Sequence, residues 1–320
     1  MSEIKTIATV GEIIVEFASH QLNCGLEQIA DYSGPYPSGA PAIFLDQATL
    51  MGANSEMIGG VGADGFGRGV LKRLKDDGVG VNGVNISNDH STGVAFVSYY
   101  DDGERDFIFH LANTAADQIN IPTDLLVPEH TSLHVSACSL GISSAMRDEI
   151  MGAVRTVKNA GGQITCDPNA RPELMSESVV RDALFEIIDC SYCLLPSTSD
   201  LNFLYPELSE EAATERLLKS NAEIIAIKRG EDGATVVGFG ERYDFGGHVV
   251  EELDPTGAGD CFCGTFVSLL SQGVSLYEAG RQANAAGAIA VTRRGAMEGN
   301  SKPSEIADFL EKSTPREFSV

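Results

Sequence analysis

Hydrophobic residues follow two alternating patterns along most of this chain. Short apolar runs bounded by glycine or polar residues predict buried strands, and segments with apolar residues three or four positions apart predict helices. The predicted strands are residues 4–10, 56–58, 133–137, 163–166, 192–195 and 224–228. The predicted helices are residues 41–51, 66–75, 144–158, 179–188, 210–219 and 303–312. This alternation predicts one α/β domain over residues 1–320, with a doubly wound, mostly parallel sheet covered by helices on both faces.

Two stretches interrupt the alternation and predict additional strands. Residues 13–17 are extended, and residues 18–34 contain no clear helix. Residues 94–100 and 105–111 are two strand-like runs joined by Asp101-Asp102-Gly103-Glu104, a hairpin sequence. Because strands inserted into a doubly wound fold need pairing partners, we expect a small accessory sheet.

A glycine-rich turn gives the strongest chemical signal. The sequence Asp254-Pro255-Thr256-Gly257-Ala258-Gly259-Asp260 precedes a segment with helical apolar spacing. Such a turn aims backbone N–H groups at one point before a helix N-terminus, where the helix dipole favours an anion. Asp260 places a potential base beside that anion, as phosphoryl transfer to a hydroxyl requires. The alternative is a tight strand-to-helix turn in which Asp260 only caps the helix.

This segment resembles the C-terminal signature of the ribokinase/PfkB family of sugar and nucleoside kinases. The matching residues are Thr256, Gly257, Ala258, Gly259, Asp260, Phe262, Gly264 and Phe266. The resemblance implies that Asp260 deprotonates the acceptor hydroxyl, while the N–H groups of Gly257, Ala258, Gly259 and Asp260 hold the charge developing on the transferred phosphate. It also implies a ribokinase-like fold, ATP and Mg²⁺ as cofactors with K⁺ left open, and a β lid from residues 12–36 and 93–113 that excludes water from the sugar site.

The sugar site is expected near the start of the chain. Ser38-Gly39-Ala40-Pro41-Ala42-Ile43 resembles the family segment G-G-x-x-x-N, with Ser38 in place of the first glycine and Ile43 in place of the asparagine. Ser38 is expected to cap the following helix, with its hydroxyl still able to bond a sugar, and Ser38, Gly39 and Ala40 are predicted substrate contacts. Glu16 stands where the family carries an acid that accepts hydrogen bonds from sugar hydroxyls. The alternative for Glu16 is an exposed carboxylate on the lid.

Two further segments resemble family motifs at strand ends, where ligands bind in open α/β sheets. Asp167-Pro168-Asn169-Ala170-Arg171 resembles the D-P-N-x-R of relatives acting on fructose-like sugars and 2-keto-3-deoxygluconate. Asn169 and Arg171 are therefore predicted to bind the substrate, and a simple turn is the alternative. Asp200 occupies the acidic position of the family's N-x-x-E, so we expect it to reach a metal ion through water.

The predicted nucleotide site combines glycine turns with a helix rich in alanine. The segment from Lys228 to Gly233 resembles the family's G-x-x-G nucleotide segment, and Ser275-Leu276-Tyr277-Glu278 is a capping box for a helix that carries Asn284. The turn around Gly295 is expected to close the adenine pocket. The predicted cofactor contacts are Lys228, Gly230, Gly233, Thr256, Gly259, Asn284 and Gly295.

A second glycine motif points to a different class of enzyme. Residues 60–65 match G-x-G-x-x-G, which in a dinucleotide-binding fold indicates a nicotinamide dehydrogenase. The motif follows a very short predicted strand and lacks an acidic residue at the end of the next strand. The stretch also resembles the family's G-x-V-G-x-D-x-x-G loop, and this resemblance implies turn and capping roles for Gly59, Val61, Gly62, Asp64 and Gly67.

The composition of the chain excludes several classes of binding partner. The net charge of −24, from 22 Lys and Arg against 46 Asp and Glu, opposes binding to nucleic acid and to anionic membranes. No apolar run is long enough to span a bilayer, and the start of the chain lacks the pattern of a signal peptide, so a cytoplasmic protein is expected. The seven cysteines, including Cys190 and Cys193 in a C-x-x-C, lack a second pair or a histidine cluster for zinc and are expected to be reduced.

Together these features predict an ATP-dependent kinase that phosphorylates the primary hydroxyl of a small sugar. The segment from Asp167 to Arg171 favours a ketohexose such as fructose or tagatose; 2-keto-3-deoxygluconate, with its carboxylate at Arg171, and ribose are the alternatives. A catalytically silent sugar- or nucleotide-binding regulator is the alternative from another class. The edge of the lid is a surface through which a homodimer could form.

Overall fold

The computed structural model describes residues 4–101, 105–122 and 125–318. Its strands are β1 (Thr6–Val10), β2 (Ile14–Ser19), β3 (Tyr32–Ser38), β4 (Ser55–Gly62), β5 (Gly80–Ser87), β6 (Gly93–Tyr99), β7 (Arg105–His110), β8 (Thr131–Ser136), β9 (Gln163–Asp167), β10 (Cys193–Leu194), β11 (Ile224–Lys228), β12 (Gly233–Gly238) and β13 (Glu241–Gly246). Its α-helices are α1 (Ala40–Leu50), α2 (Gly65–Asp76), α3 (Ser144–Asn159), α4 (Ser178–Cys190), α5 (Thr198–Leu204), α6 (Glu210–Leu218), α7 (Ala258–Ser271), α8 (Leu276–Ala290) and α9 (Pro303–Lys312). The described helices include none that is both long and apolar enough to cross a bilayer.

The described strands form a nine-stranded sheet in the order β13-β12-β11-β10-β9-β8-β1-β4-β5. Every pairing from β11 to β5 is parallel, while β12 and β13 extend the edge as an antiparallel hairpin. Strand order reverses between β1 and β8, and ligands in doubly wound sheets bind at the carboxyl ends of strands near such a reversal. The predicted fold class is confirmed.

Helices cover both faces of this sheet because successive strand residues point to opposite sides. Ile224 packs on one face with α1, α2, α7, α8 and α9, and its neighbour Ile225 packs on the other with α3, α4, α5 and α6. Each face therefore has its own buried apolar layer, which holds the loops at the strand ends in fixed positions.

The accessory sheet is also present, with strand order β3-β2-β6-β7. Strand β2 is antiparallel to β3 and parallel to β6, and β6 and β7 form the predicted hairpin. Part of the hairpin turn, residues 102–104, lies outside the described residues. Strand β3 was not predicted as a strand, because Gly34, Pro35 and Pro37 are residues that disfavour a regular strand.

The glycine motif at residues 60–65 has a structural role. Strand β4 runs through residues 59–62 instead of ending at Ile58, and a side-chain carbon on Gly60 would lie 2.0 Å from the carbonyl oxygen of Ala115. Asp64 caps α2 by accepting a 2.8 Å hydrogen bond from the Gly67 N–H. The glycines therefore permit close packing, and the dehydrogenase interpretation is wrong.

Candidate active site

A cleft of about 530 Å³ lies at the carboxyl ends of β9, β10 and β11. The start of α7 and one face of α8 complete its walls. Eleven predicted site residues line it: Asn169, Arg171, Asp200, Lys228, Gly230, Gly233, Gly257, Ala258, Gly259, Asp260 and Asn284. The structure thus brings together segments that are widely separated in sequence.

The turn before α7 is shaped for an anion. Gly257 precedes the helix with φ of +82°, and a side-chain carbon there would lie 2.3 Å from the carbonyl oxygen of Ala296. No side chain of the described residues caps the helix. Its first N–H groups therefore face the cleft together with the positive end of the helix dipole, the arrangement that binds phosphate.

Asp260 lies in the first turn of α7 and is only 8% exposed. Burial raises the pKa of its carboxyl to about 8, and nearby Asp167 raises it further, while Lys228 and Arg171 oppose the shift. A carboxylate with this pKa is a better proton acceptor near neutral pH than an ordinary aspartate. Asp260 is thus suited to act as a base and does not cap the helix.

Lys228 brings a positive charge to the same turn. Its ammonium group pairs with Asp167 and lies 3.5 Å from the Sγ atom of Cys263. Asp167 raises the pKa of Lys228, although burial opposes this, so Lys228 is charged. The ion pair fixes a cation beside Gly259 and compensates for the burial of Asp167.

The loop after β9 is held by Asp200. One Asp200 oxygen accepts a 2.7 Å hydrogen bond from the Ala170 N–H, and the other accepts bonds from the N–H and the hydroxyl of Ser197. Asn169 takes a left-handed conformation with φ of 38°, which asparagine tolerates better than most residues. Asp200 is therefore first a cap of α5 and a brace for the segment that carries Asn169 and Arg171; its contact to a metal ion through water stays a prediction.

The side of the site next to the accessory sheet β3-β2-β6-β7, called the lid below, combines two arginines with a buried acid. Arg105 of β7 lines the cleft with Arg171, and their proximity contributes, after burial, to a lowered pKa of Arg105. Glu16 is 3% exposed, and its Oε1 atom has no hydrogen-bond partner among the described residues. Burial and the neighbouring Asp254 raise the pKa of Glu16 to about 8, while both arginines oppose this. Glu16 is not the exposed lid carboxylate of the alternative interpretation.

Asp254 connects the lid to the turn at residues 257–260, called the phosphate turn below. It accepts hydrogen bonds from the Tyr99 hydroxyl at 2.6 Å, the Thr256 N–H at 3.0 Å and the Gly295 N–H at 2.9 Å. The Tyr99 and Thr256 hydroxyl oxygens are also 3.0 Å apart. Because Tyr99 belongs to a lid strand, the position of the turn depends on the position of the lid.

Several predicted residues lie outside the wall of the cleft. Ser38, Gly39 and Ala40 form the junction of β3 and α1, and the N-cap of α1 is Gly39, so the predicted capping role of Ser38 is wrong. Thr256 and Gly295 gather around Asp254, and a side-chain carbon on Gly295 would lie 2.5 Å from Tyr36 of the lid. The turn around Gly295 therefore packs against Tyr36, and its role in closing the adenine pocket stays a prediction.

Asn284 lines the cleft, but its side-chain amide donates a 2.9 Å hydrogen bond to the carbonyl oxygen of Gly246. This bond ties α8 to the end of β13. Asn284 therefore shapes the wall, and its contact to a nucleotide stays a prediction.

Sequence reasoning missed Arg105, Tyr99 and Glu12. Arg105 and Tyr99 occur in ordinary strand patterns, and only the fold shows that they reach the site. Glu12 accepts a 2.5 Å hydrogen bond from the Ser139 hydroxyl, and burial raises the pKa of Glu12 to about 7. Its position directly after β1, at the carboxyl end of a central strand, was the available signal.

A divalent ion fits this site only as a partner of phosphate. In the part of the chain that the structure describes, no group of three or more His, Cys, Asp or Glu residues could hold a metal. Mg²⁺ keeps several waters and binds phosphate oxygens readily, so it needs no protein cage. The phosphate turn and Asp200 are compatible with an ion delivered by a nucleotide.

Anion donors and a base of raised pKa at one end of a lidded cleft are the features of enzymes that transfer a phosphoryl group to a hydroxyl. Comparison with known proteins agrees. The sequence profile described as "pfkB family carbohydrate kinase" matches residues 5–303. Fructokinase-2 of Solanum habrochaites is 30% identical over 317 residues, covering 95% of this chain and 95% of that protein.

Solved structures agree as well. An E. coli protein described as a candidate ribokinase II, solved with ATP and Mg²⁺, is 38% identical at a TM-score of 0.89, covering 97% of this chain and 100% of that one. A Vibrio cholerae fructokinase, solved with fructose, ADP and calcium, shares the fold at a TM-score of 0.79 and 24% identity, covering 97% of this chain and 100% of that one. The chain belongs to the pfkB family of carbohydrate kinases, phosphotransferases that act on a sugar hydroxyl.

Proposed function

We propose that this protein transfers the γ-phosphoryl group of ATP to the primary hydroxyl of a ketohexose such as fructose. The observation that carries this proposal is the juxtaposition of an uncapped helix N-terminus and a buried Asp260 at one end of the cleft. One holds the negative charge that develops during transfer, and the other accepts the proton of the attacking hydroxyl.

Each residue of the proposed site has a defined task. Asp260 takes the hydroxyl proton as the oxygen attacks the γ-phosphorus. The N–H groups at the start of α7 and the Lys228 ammonium stabilise the transferring phosphoryl group. Glu16 accepts hydrogen bonds from sugar hydroxyls, which gives its unpartnered Oε1 atom the donor that it lacks. The lid excludes water, the competing acceptor.

The cofactors of the proposed reaction follow from the same site. Mg²⁺, bound to ATP phosphates with Asp200 reached through water, would neutralise charge on the phosphates. Support comes from the E. coli relative solved with ATP and Mg²⁺. A K⁺ requirement stays a prediction, and comparing rates in potassium and sodium buffers tests it.

A second substrate class is favoured by one specific observation. Arg105 and Arg171 line the same cleft, and burial together with the charge of Arg171 lowers the pKa of Arg105. Two guanidinium groups suit a carboxylate, so a sugar acid such as 2-keto-3-deoxygluconate is the second candidate. The fructokinase relatives and the segment from Asp167 to Arg171 favour the ketohexose.

The proposal is tested by measuring ADP release over fructose, tagatose, ribose and 2-keto-3-deoxygluconate, with and without Mg²⁺, and by locating the phosphate on the product by ³¹P NMR. The expected result is Mg²⁺-dependent turnover that is fastest with a ketohexose. Fastest turnover with the sugar acid would select the second candidate. Tight sugar binding without turnover of any sugar would contradict both and support a silent regulator.

A further inference from the structure

The last described residues of the chain lie along the nucleotide end of the cleft. This C-terminal tail, residues 313–318, follows α9 and pairs with the segment after β13. Pro315 forms an antiparallel bridge with His248, and the Arg316 N–H donates a 2.8 Å hydrogen bond to the Gly247 carbonyl. The Ser313 hydroxyl oxygen lies 2.8 Å from Nδ1 of His248. These contacts fix the tail's path.

The surrounding residues accommodate the tail closely. A side-chain carbon on Gly246 would lie 1.9 Å from the Arg316 carbonyl oxygen, so the tail's path requires glycine there. At the far end, the Phe318 ring packs under the Arg229 guanidinium, with 5.9 Å between the guanidinium carbon and the ring centre. The family profile ends at residue 303, so the tail lies outside the part of the chain that it matches.

The Arg316 side chain lines the cleft from this tail. The Arg316 guanidinium donates a 2.9 Å hydrogen bond to Glu231, whose side chain is 78% exposed. Because exposed ion pairs contribute little free energy, Arg316 can leave Glu231 and bind a ligand at little cost. Lys228 and Arg229, in contrast, hold the more buried partners Asp167 and Glu210.

Small and apolar residues of α8 and its end form the adjacent wall. Gly287, Ala288 and Val291 line the cleft there with Val250. Without large side chains, this wall leaves room for a flat ring, and a guanidinium group binds such a ring by stacking over its face. The turn of Gly257, Ala258 and Gly259 borders the same wall, since a side-chain carbon on Gly287 would lie 3.4 Å from the carbonyl oxygen of Ala258.

We propose that Arg316 is a nucleotide-binding residue, carried by the C-terminal tail, that contacts the base and ribose of ATP. This inference rests on the proposed use of ATP as the phosphoryl donor. The tail would then supply affinity for the nucleotide without touching the sugar or the transferred phosphoryl group.

The test measures equilibrium binding of ATP by calorimetry, without sugar, for the wild-type protein and the Arg316→Ala variant. The expected loss of affinity is roughly fivefold to twentyfold, the range for one cation–ring contact with some additional hydrogen bonding. In turnover, KM for ATP should rise by a similar factor while kcat and KM for the sugar stay within about twofold. Arg293→Ala is the matched control. Arg293 is 41% exposed and pairs with Glu305, much as Arg316 is 44% exposed and pairs with Glu231.

Two further measurements separate the possible failures. Phe318→Ala keeps the Arg316 side chain but removes the ring that anchors the tail against Arg229, so it should also weaken ATP binding. Inhibition by inorganic tripolyphosphate, which has no base or ribose, should be the same in wild type and Arg316→Ala. Unchanged ATP affinity in Arg316→Ala, or an equal loss for tripolyphosphate, would overturn the inference. A wild-type protein that binds ATP but phosphorylates no sugar would instead contradict the proposed function.

Discussion

The ammonium group of Lys228 lies directly over the backbone of Gly259, 3.5 Å from where a side-chain carbon of that residue would be. The distance allows ordinary van der Waals contact, so a methyl group would fit but would stand between the ammonium and an incoming phosphate. Gly257, two residues earlier, has a positive φ and no room for a side chain. Two glycines of one turn are thus required for different reasons.

The substitutions Gly257→Ala and Gly259→Ala should therefore have opposite effects. Gly257→Ala should lower the free energy of unfolding by about 1–3 kcal/mol, because alanine is strained in the left-handed conformation. Gly259→Ala should keep or raise stability by about 0.4–1 kcal/mol, because it lies in a helix. It should lower kcat/KM for ATP by about tenfold to a hundredfold by misplacing the phosphate. Denaturant titration and steady-state kinetics check both; a stable Gly257→Ala or a fully active Gly259→Ala would contradict the proposed role of the turn.

The pH dependence of the reaction should follow Asp260. Because burial raises the pKa of Asp260 to about 8, the base is mostly protonated at pH 6, and log(kcat/KM) should rise about one unit per pH unit until it levels above pH 8. Arg171 opposes this rise in the pKa of Asp260. Arg171→Gln should therefore move the inflection to higher pH, whereas Arg68→Gln, an exposed change on α2, should not. A flat profile between pH 6 and 9 would argue against Asp260 as the base.

The buried Glu16 carboxyl should lower the free energy of unfolding, although it contributes to the proposed binding of the sugar. Burial raises the pKa of Glu16 to about 8 from the model-compound value of 4.5, so the folded state holds a proton that the unfolded state releases. The free energy of unfolding therefore falls as pH rises from about 4.5 to 8. Glu16→Gln should have a higher free energy of unfolding than the wild type at pH 8. This advantage should be at least about 1.4 kcal/mol larger at pH 8 than at pH 5.

The same variant should bind the sugar more weakly. Glu311→Gln, at an exposed position on α9, is the control and should show neither effect. An advantage of Glu16→Gln that does not change with pH would show that Glu16 is not held in the buried state described above.

Local patterns predicted the parallel sheet, its helices and the phosphate turn because these depend on short-range signals. Strand β11 was predicted with its observed bounds, and Gly257 and Asp260 occur in a distinctive string. The strands β13 and β3 were not predicted. The prolines and the glycine of β3 resemble a loop. Their pairing is decided by contacts across the fold.

The positions of several site residues could not be predicted either, because they also depend on contacts across the fold. Arg105 reaches the cleft only because the lid folds over it, and Arg316 only because the tail returns to the end of β13. Thr256 and Gly295 have motif positions that suggest a nucleotide contact, yet Asp254 draws both toward the lid. Side chains positioned by distant elements leave no local pattern.

The most direct test of the account is single-turnover formation of ADP by Asp260→Asn with the preferred sugar and saturating Mg²⁺-ATP. The substitution keeps the size of the side chain but removes the base. The rate should fall by about 10²–10⁴-fold while calorimetry shows unchanged ATP binding. Near-wild-type turnover would contradict the central claim that Asp260 deprotonates the sugar hydroxyl.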